Sequence, residues 1–451
     1  MSISTFSGIQ TSLRGLLAQQ RSLDVTSHNI ANASTVGYTR QEATLAASTP
    51  MTVTTSGGAA AGALGTGVDV QAYRRVRDQF LDLQYRGQSM TLGEQTARSD
   101  GLSQTELSFA EPGDNGVAAA LSQFWGAWGD VSNGAEGAAA RQALVDNSRS
   151  LSSRINDLQS SLNGARQRAA DEYTQLAGAG GEVNRVSTDL ASTLNAIRDA
   201  ELTGAQPNDL YDRRDLLLDQ LSSIGQVSVT PSPGGSLDVS FGGVPIVDAD
   251  DTTGIATVPA GTFPLNFGTS SPGGRLGALI DLQSTTGPIG SYQTDLAAMA
   301  QSLADSVNSV YSATGTNFFT YGTGANGLPE LKLNEPAISS TTLLGGLGGA
   351  SDNTLALQIA DLRGGDADKR YQQLVTRMGN EVAQANRTES TAQVLTDNLK
   401  DRRESVSGVS LDEEMTNIIR FQRAYQASAR AMTTTDDMLD TLINRVGRVG
   451  L

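Results

Sequence analysis

Both ends of this 451-residue chain carry apolar residues in a heptad-like spacing. Near the N-terminus, steps of three and four alternate through Phe6, Ile9, Leu13, Leu16, Gln20, Leu23, Ser27 and Ile30. Near the C-terminus the same steps run through Leu411, Met415, Ile418, Gln422, Tyr425, Ala429, Met432, Asp436, Leu439, Ile443 and Val446. This spacing is typical of a helix that packs lengthwise on another helix. The two stripes predict a coiled-coil-like pair formed by the ends of the chain.

The sequence also contains signals for where these two helices stop and start. The first helix is expected to end near Asn32, because Asn32 and Gly37 tolerate turn conformations. The last helix is expected to begin after Ser410, a capping residue, with Glu413 completing a capping box. Gly447 is expected to end it. Polar residues within the stripes favour a fixed register or further partners over maximal stability.

The middle of the chain combines long helical patterns with a β region. Helices are predicted at about 139–200, 208–224, 277–312 and 367–405 from the spacing of their apolar residues. Residues 227–267 alternate short apolar runs with Gly- and Pro-rich turns, which predicts hairpins of a small β domain. The Gly-rich stretch 313–349 is expected to belong to it. The fold class is therefore mainly α with an inserted small β domain.

These patterns divide the chain into three predicted domains. The terminal-helix domain with its connecting loop comprises 1–66 plus 406–451; the helical-bundle middle domain comprises 67–225, 273–312 and 352–405; and the β domain comprises 226–272 plus 313–351.

Composition excludes several classes of function. The chain has 32 basic and 48 acidic residues, a net charge of −16, which disfavours nucleic acid and anionic membranes as partners. No window approaches about 18 consecutive apolar residues, so we expect neither membrane insertion nor a cleaved signal peptide. Cysteine is absent and His28 is the only histidine, which excludes thiolate and multi-histidine zinc sites. We expect no cofactor and no metal.

Candidate catalytic features have simpler interpretations. His28 has no nucleophile motif beside it and is read as a surface or interface imidazole. The aspartates at 248, 250 and 251 lack the calcium-loop pattern and indicate a solvated turn. Trp125 and Trp128 are expected to anchor local packing. The sequence does not predict an enzyme.

Three blocks resemble a known family. SGIQTSLRGLLAQQRSLDVTSHNIANASTVGYTRQ, at 7–41, resembles the N-terminal signature of flagellar axial proteins, the rod, hook and hook-associated subunits; His28 stands where the commoner pattern has an asparagine. Residues 407–447 are similar to the C-terminal helix of that family. NDLYDRRDLLLDQLSSIGQVSV, at 208–229, resembles the internal signature of its hook-associated junction subunits. The blocks cover about a fifth of the chain and occur in the family's order.

The resemblance implies a tube and a structural function. Terminal helices would form an inner layer around an export channel, helical domains the next layer, and the β domain would face outward. The protein would be a non-enzymatic adaptor that joins hook to filament by helical self-assembly. It would be exported by the flagellar type III route, without a cleaved signal peptide, to the extracellular flagellum.

The resemblance also implies partners and interaction residues. The partners would be copies of the chain, hook protein, a second hook-associated junction protein, and a cytoplasmic export chaperone on the C-terminal helix. The predicted assembly residues are Phe6, Ile9, Leu13, Leu16, Leu23, Ile30, Asn29, Asn32, Gly37, Tyr38, Met415, Ile418, Phe421, Tyr425, Met432, Leu439 and Ile443. Asn29, Asn32 and Gly37 would redirect the chain out of the inner helix.

Two alternatives stay open: a hook or distal-rod subunit, and an adhesin-like binding module on the β domain.

Overall fold

The computed structural model describes residues 7–54, 60–232, 234–268, 270–335 and 337–444. The chain is 64% helical with a few small sheets, which confirms the predicted mainly-α class. Helix α1, Ser7–Ala31, pairs in antiparallel orientation with helix α11, Leu411–Asn444. Both predicted boundaries, near Asn32 and after Ser410, agree with the structure. Phe6, Val446 and Gly447 lie outside the described residues.

Small side chains form the contact between α1 and α11. The heptad positions that the sequence predicted to face the partner helix are therefore wrong. A Cβ atom at Gly8 would lie 3.1 Å from Thr435 Cγ2, and one at Gly15 would lie 3.1 Å from Ser428 Oγ. The buried residues of α1 are Ala18, Ser22, Thr26 and Asn29. Positions 8, 15, 22 and 29 form a heptad series one residue before the predicted one. Small residues let the two backbones approach closely, which displaces the bulky residues to the flanks.

Most predicted seam residues are therefore half-buried or exposed. The half-buried ones are Ile9, Leu16, Leu23, Ile30, Ile418, Phe421, Tyr425, Met432 and Leu439. Leu13 is 40% exposed, Met415 53% and Ile443 67%.

A β ribbon follows α1, where the sequence suggested only a connecting loop. Strand β1, Gln41–Ala47, pairs with β4, Val68–Arg75, and β2, Met51–Thr54, pairs with β3, Ala60–Leu64; both pairs are antiparallel. The β1–β4 pair packs on α1. The ribbon is rich in Ala, Gly and Thr, but β2 (MTVT) and β4 (VDVQAYRR) alternate apolar and polar residues, which was a usable strand signal in the sequence.

The helical body has nine helices within the described part of the chain. They are α2, Gln79–Phe109; α3, Val117–Asn133; α4, Ala138–Ala177; α5, Glu182–Leu202; α6, Asn208–Ile224; α7, Gly274–Gln283; α8, Pro288–Tyr311; α9, Thr354–Ala360; and α10, Asp366–Ser407. The predicted helix at 208–224 is confirmed, and α10 lies within a residue or two of its prediction.

Two predicted helices are each interrupted. The predicted helix at 139–200 is broken between α4 and α5, where a Cβ atom at Gly181 would lie 2.5 Å from the Leu176 carbonyl oxygen. Only glycine allows this close approach of the backbone. The predicted helix at 277–312 is broken between α7 and α8, where Pro288 occupies the first turn of α8.

The predicted β domain is only partly correct. Strands β5, Val227–Pro231; β6, Leu237–Phe241; β7, Val244–Ala249; and β8, Ala256–Thr257 form one antiparallel sheet inserted between α6 and α7. Strands β9, Phe319–Thr323, and β10, Pro329–Leu333, form a separate hairpin that packs on α4 and α8. The prediction that the stretch 313–349 joins the first sheet is therefore wrong.

Aromatic packing explains where the second hairpin lies. Phe318, at its base, is fully buried, with its ring centroid 5.1 Å from that of Trp128 and 5.3 Å from that of Tyr311. Trp128 is also fully buried, and Trp125 donates to Asp368 Oδ1 at 3.2 Å. Both tryptophans therefore anchor packing, as predicted, and they hold the hairpin on the helical body.

Candidate functional site

The candidate site is the joint between the terminal helix pair and the helical body. Its centre is Asn29, which is 1% exposed near the end of α1. The Asn29 side chain accepts from the Gln41 backbone N–H at 3.0 Å and donates to the Gln41 carbonyl at 2.9 Å. An amide that pairs with both backbone groups of one residue acts as a neighbouring strand would. Asn29 therefore fixes the start of β1 against α1.

Residues 28–41, called here the signature turn, contain the other predicted turn residues. Asn32 Nδ2 donates to the His28 carbonyl at 3.0 Å, and Thr35 Oγ1 donates to Asn32 Oδ1 at 3.2 Å. Gly37 has φ +81, in the left-handed region that favours glycine, and it lies against Leu216 of α6. The structure thus places these residues where the chain leaves α1.

Tyr38 links the signature turn to His28. Its hydroxyl donates to Asn29 Oδ1 at 2.8 Å and lies 3.0 Å from His28 Nδ1. Burial, with smaller contributions from the carboxylates of Asp209, Asp212 and Glu414, raises the pKa of Tyr38 above its ordinary value. The hydroxyl therefore keeps its proton near neutral pH and serves as a donor. His28 is half exposed and contributes to the joint through this contact.

Helix α6 holds the signature turn from the other side. Asp212 Oδ2 accepts from the Thr39 backbone N–H at 3.0 Å, and Asp209 Oδ1 accepts from Gln41 Nε2 at 2.9 Å. Asn208 Nδ2 donates to Gln41 Oε1 at 3.1 Å. Two of the three sequence blocks therefore meet at one place. Sequence analysis missed this contact, although polar residues at 208, 209 and 212, on the first turns of a leucine-rich helix, were a usable signal.

Buried ion pairs connect this joint to the body. We call them the ion cluster, and they comprise Asp82, Asp212, Asp215, Asp219, Arg75, Arg77, Arg86, Arg214 and Arg403. Asp215 is 5% exposed, and its carboxylate lies 2.8 Å from Arg75 Nη1 and 3.0 Å from Arg77 Nη1. The cluster ties β4 and the segment after it to α2, α6 and α10. It was not predicted, because its members are dispersed over more than 300 positions of the sequence.

The charge state of Asp215 follows from two opposing effects. Burial alone raises the pKa of its carboxyl group, but the guanidinium groups of Arg214, Arg77 and Arg75 together outweigh this, and the pKa lies below its ordinary value. Asp215 is therefore ionised at neutral pH, and the ion pairs depend on that ionisation.

Contacts to α11 complete the joint. Arg40 Nη1 lies 2.7 Å from Glu413 Oε2, and the Arg40 backbone N–H donates to the Ser407 carbonyl at 2.9 Å. Ser410 Oγ accepts from the Glu413 backbone N–H at 3.5 Å, which is a long contact. The capping box was predicted to be reciprocal, and this is wrong, because the Glu413 carboxylate pairs with Arg40 instead. The third sequence block thus reaches the same joint.

Exposed apolar residues continue along the helix pair beyond the joint. Leu13 and Leu17 are 40% and 45% exposed on α1, and Ile419, Met438 and Leu442 are 49% to 66% exposed on α11. We call these five, with Met415 and Ile443, the apolar flank. A soluble monomer rarely exposes so extended an apolar surface without a partner for it.

The described part of the chain contains neither a candidate metal site nor a candidate membrane-spanning helix. There, no group of three His, Cys, Asp or Glu side chains is arranged to hold a metal ion. No described helix combines the length and apolar character needed to cross a membrane.

Family models match three parts of the chain. The model described as "Flagellar hook-associated protein FlgK helical domain" matches residues 102–319. "Flagellar basal body rod FlgEFG protein C-terminal" matches 403–445, and "Flagella basal body rod protein" matches 9–39. Paired terminal helices with these signatures, joined to a helical body, define a structural protein of the flagellar axis.

Relatives that match along nearly the whole chain identify the family to which it belongs. Flagellar hook-associated protein 1 of Bacillus subtilis (strain 168) is 31% identical over 505 residues, which covers 98% of this chain and 99% of the relative. The chain belongs to the flagellar hook-associated protein 1 (FlgK) family. The protein of the same name from Escherichia coli (strain K12) is 23% identical, with 97% and 99% covered. A solved structure of the flagellar hook junction protein FlgK from Burkholderia pseudomallei has a TM-score of 0.41 and 21% identity, and covers 53% of this chain and 47% of that one.

Family membership establishes the class of function. The protein is a structural component of the bacterial flagellum, not an enzyme, and has its role at the hook–filament junction. It lies outside the cell, where it self-assembles in the flagellar axis together with hook components. The alternative of a hook or distal-rod subunit is thereby set aside.

The first testable prediction concerns Asn29. Asn29→Ala leaves both buried backbone groups of Gln41 without their partner, and we expect a loss of about 1–3 kcal/mol in the free energy of unfolding. Asn32→Ala is the matched control and should cost less than about 1 kcal/mol, because its contacts are half exposed. Urea unfolding followed by circular dichroism measures both. Equal losses for the two variants would contradict the central role of Asn29.

The second prediction concerns pH and Asp215. Asp215→Asn should lower the free energy of unfolding by about 3–5 kcal/mol at pH 7, because it leaves buried guanidinium groups unpaired. A carboxylate with a lowered pKa stabilises the fold above its unfolded pKa of about 3.9 and loses that effect as the pH falls below it. The difference between wild type and variant should therefore shrink below about pH 4.

Urea titrations between pH 7 and pH 3 measure this difference. The exposed Asp189→Asn is the control and should change the free energy of unfolding by less than about 0.5 kcal/mol. A difference between wild type and Asp215→Asn that stays constant down to pH 3 would contradict the prediction.

Proposed function

We propose that the protein is the adaptor that joins hook to filament, built as a layer of identical copies in helical array. Its axial neighbours are hook protein on one side and a second hook-associated junction protein on the other. The observation that carries the proposal is the apolar flank on a helix pair that is already packed within one chain. Such residues remain in water in the monomer, and burial by adjoining copies stabilises an assembly by about 1.5–3 kcal/mol for each side chain fully covered.

Helical assembly needs two different surfaces on each copy, one for each neighbour. The apolar flank supplies them, since Leu13 and Leu17 lie on α1 while Met415 and Met438 lie on α11. The half-buried residues of the predicted set would become fully covered; they are Ile9, Leu16, Leu23, Ile30, Ile418, Phe421, Tyr425, Met432 and Leu439. The joint supports the proposal because it fixes the direction of the helix pair relative to the body, which must be the same in every copy.

The domain division is part of the proposal. The inner domain comprises 1–66 plus 406–451, extended to Arg75 because β4 completes the β ribbon by pairing with β1. The helical middle domain surrounds it. The outer β domain keeps the sheet within 226–272, while the hairpin at 319–333 goes to the helical domain because it packs there. The outward direction of the β domain rests on the family's arrangement.

Export is the remaining part of the proposal. The chain would leave the cell by the flagellar type III route without a cleaved signal peptide, after a cytoplasmic export chaperone has covered α11. The chaperone surface would be the face that carries Met415, Ile418, Phe421, Tyr425 and Met432. The exposure of Met415 and the partial exposure of the other four support this. One face can bind the chaperone before export and neighbouring copies afterwards.

The third prediction tests the junction role by electron microscopy. Cells that lack this gene should keep their hooks but carry no stable filaments, and the wild-type gene should restore the filaments. Leu13→Asp with Leu17→Asp should fail to restore them, because two buried charges cannot be accommodated between copies. Leu202→Asp, on a residue 79% exposed at the end of α5, is the control and should restore filaments. Loss of the hooks themselves would indicate a hook subunit.

The fourth prediction tests the chaperone surface. Met415→Asp in the full chain should weaken binding of the export chaperone about tenfold, because loss of one apolar anchor costs more than about 1 kcal/mol. Titration calorimetry with the two purified proteins measures this, again with Leu202→Asp as control. Unchanged affinity for Met415→Asp would place the chaperone elsewhere.

A further inference from the structure

A pocket opens where α1, β1 and α11 meet, just above the joint. Its volume is about 350 Å³. Side chains that line it include Ser22, Thr26, Gln41, Glu414, Asn417 and Phe421. Most of its wall is polar or charged and includes the carboxylates of Glu42 and Glu414 and the guanidinium of Arg420; the rest is apolar, from Val25, Ala43, Leu45 and Phe421. The pocket therefore offers hydrogen-bond acceptors and a carboxylate to a polar or charged group.

Glu414 is buried and forms no ion pair within the described chain. It is 2% exposed, and Asn29 Nδ2, at 3.3 Å, is the hydrogen-bond donor that its carboxylate meets among the described residues. No cationic side chain lies within 4 Å of it there, and the guanidinium of Arg420 lies over the ring of Phe421 instead. The adjacent Glu413 is different, being 65% exposed and paired with Arg40. A buried carboxylate without a cation is costly, and proteins normally pair such groups.

The surroundings of the pocket favour a cation as its occupant. Two carboxylates, those of Glu42 and Glu414, line it against the one guanidinium of Arg420, and the chain as a whole carries a net charge of −16. A guanidinium group fits best, because its planar set of donors can bind a carboxylate in a bidentate manner while other N–H groups reach hydroxyl and amide oxygens. Ser22, Thr26 and Asn417 provide such oxygens.

We propose that in the assembled flagellum this pocket receives an arginine side chain from a neighbouring copy, which pairs with Glu414. The inference rests on the proposed self-assembly and adds a specific contact to it. The donor is Arg21, Arg423 or Arg430, which are exposed on α1 and α11. Self-assembly brings these two helices of adjacent copies together, so each copy offers both the arginine and the pocket.

The first arm of the test separates the monomer from the assembly. Glu414→Gln keeps the hydrogen bond with Asn29 and removes a charge that is unpaired in the monomer, so the Tm of the purified monomer should stay the same or rise. Assembled hook–filament particles carrying Glu414→Gln should nevertheless dissociate at a lower temperature than wild-type particles. Glu413→Gln is the matched control and should lower the monomer Tm, because its partner Arg40 is in the same chain. A lower monomer Tm for Glu414→Gln would overturn the proposal.

The second arm identifies the donor by cross-linking, which is direct because the chain has no cysteine of its own. Asn417→Cys is combined in turn with a cysteine substitution of Arg21, Arg423 or Arg430, and isolated particles are oxidised. One combination should give disulfide-linked dimers in particles and none in dilute monomer. Positions 417 and 423 lie about 9 Å apart along one helix, too far for a disulfide within a chain, which spans at most about 7 Å.

Arg387→Cys, on α10, is the control and should give no dimer. If no combination gives dimers in particles that still carry filaments, the proposal is overturned while the junction function stands. If the wild-type gene itself fails to restore filaments in the deletion strain, the junction function fails first.

Discussion

The pairing of the Asn29 side chain with the backbone of Gln41 is the contact on which the arrangement of this protein depends. At that point the chain leaves a helix, reverses, and begins a strand, and one buried amide satisfies both backbone groups of the strand residue. Tyr38, Asp212 and Glu414 then assemble around this contact. Because these partners come from distant parts of the chain, a local turn becomes a three-way joint.

The small-residue seam between α1 and α11 has a consequence for assembly. Glycine, serine and threonine at the seam let the two backbones approach, so the pair needs no bulky residue between its helices. Leucine, isoleucine and methionine side chains are thereby left on the flanks. A pair closed by its own leucines would be a finished two-helix unit, whereas this one leaves its apolar area for neighbours. The packing inside one copy and the capacity to bind others are thus two results of the same residue pattern.

The sequence predicted the elements better than their contacts. Helix boundaries near Asn32 and Ser410 were readable because caps and turns act locally, and the helix at 208–224 has a clear leucine face. The phase of the terminal seam was missed because large apolar residues were assumed to face inward. The ion cluster and the docking of Asp209 and Asp212 could not be predicted, since they depend on tertiary contacts between residues more than a hundred positions apart.

The polar character of the joint suits its role better than an apolar core would. Buried ion pairs add little net stability over well-packed apolar residues, because desolvation offsets most of the attraction. They do require defined directions: Asp215 must meet Arg75, Arg77 and Arg214 at once, and few other orientations of β4 and α6 allow this. Apolar surfaces tolerate small rotations at little cost. In a helical array a small error in the angle between the helix pair and the body would accumulate from copy to copy, so directional contacts at the joint serve the assembly more than the monomer.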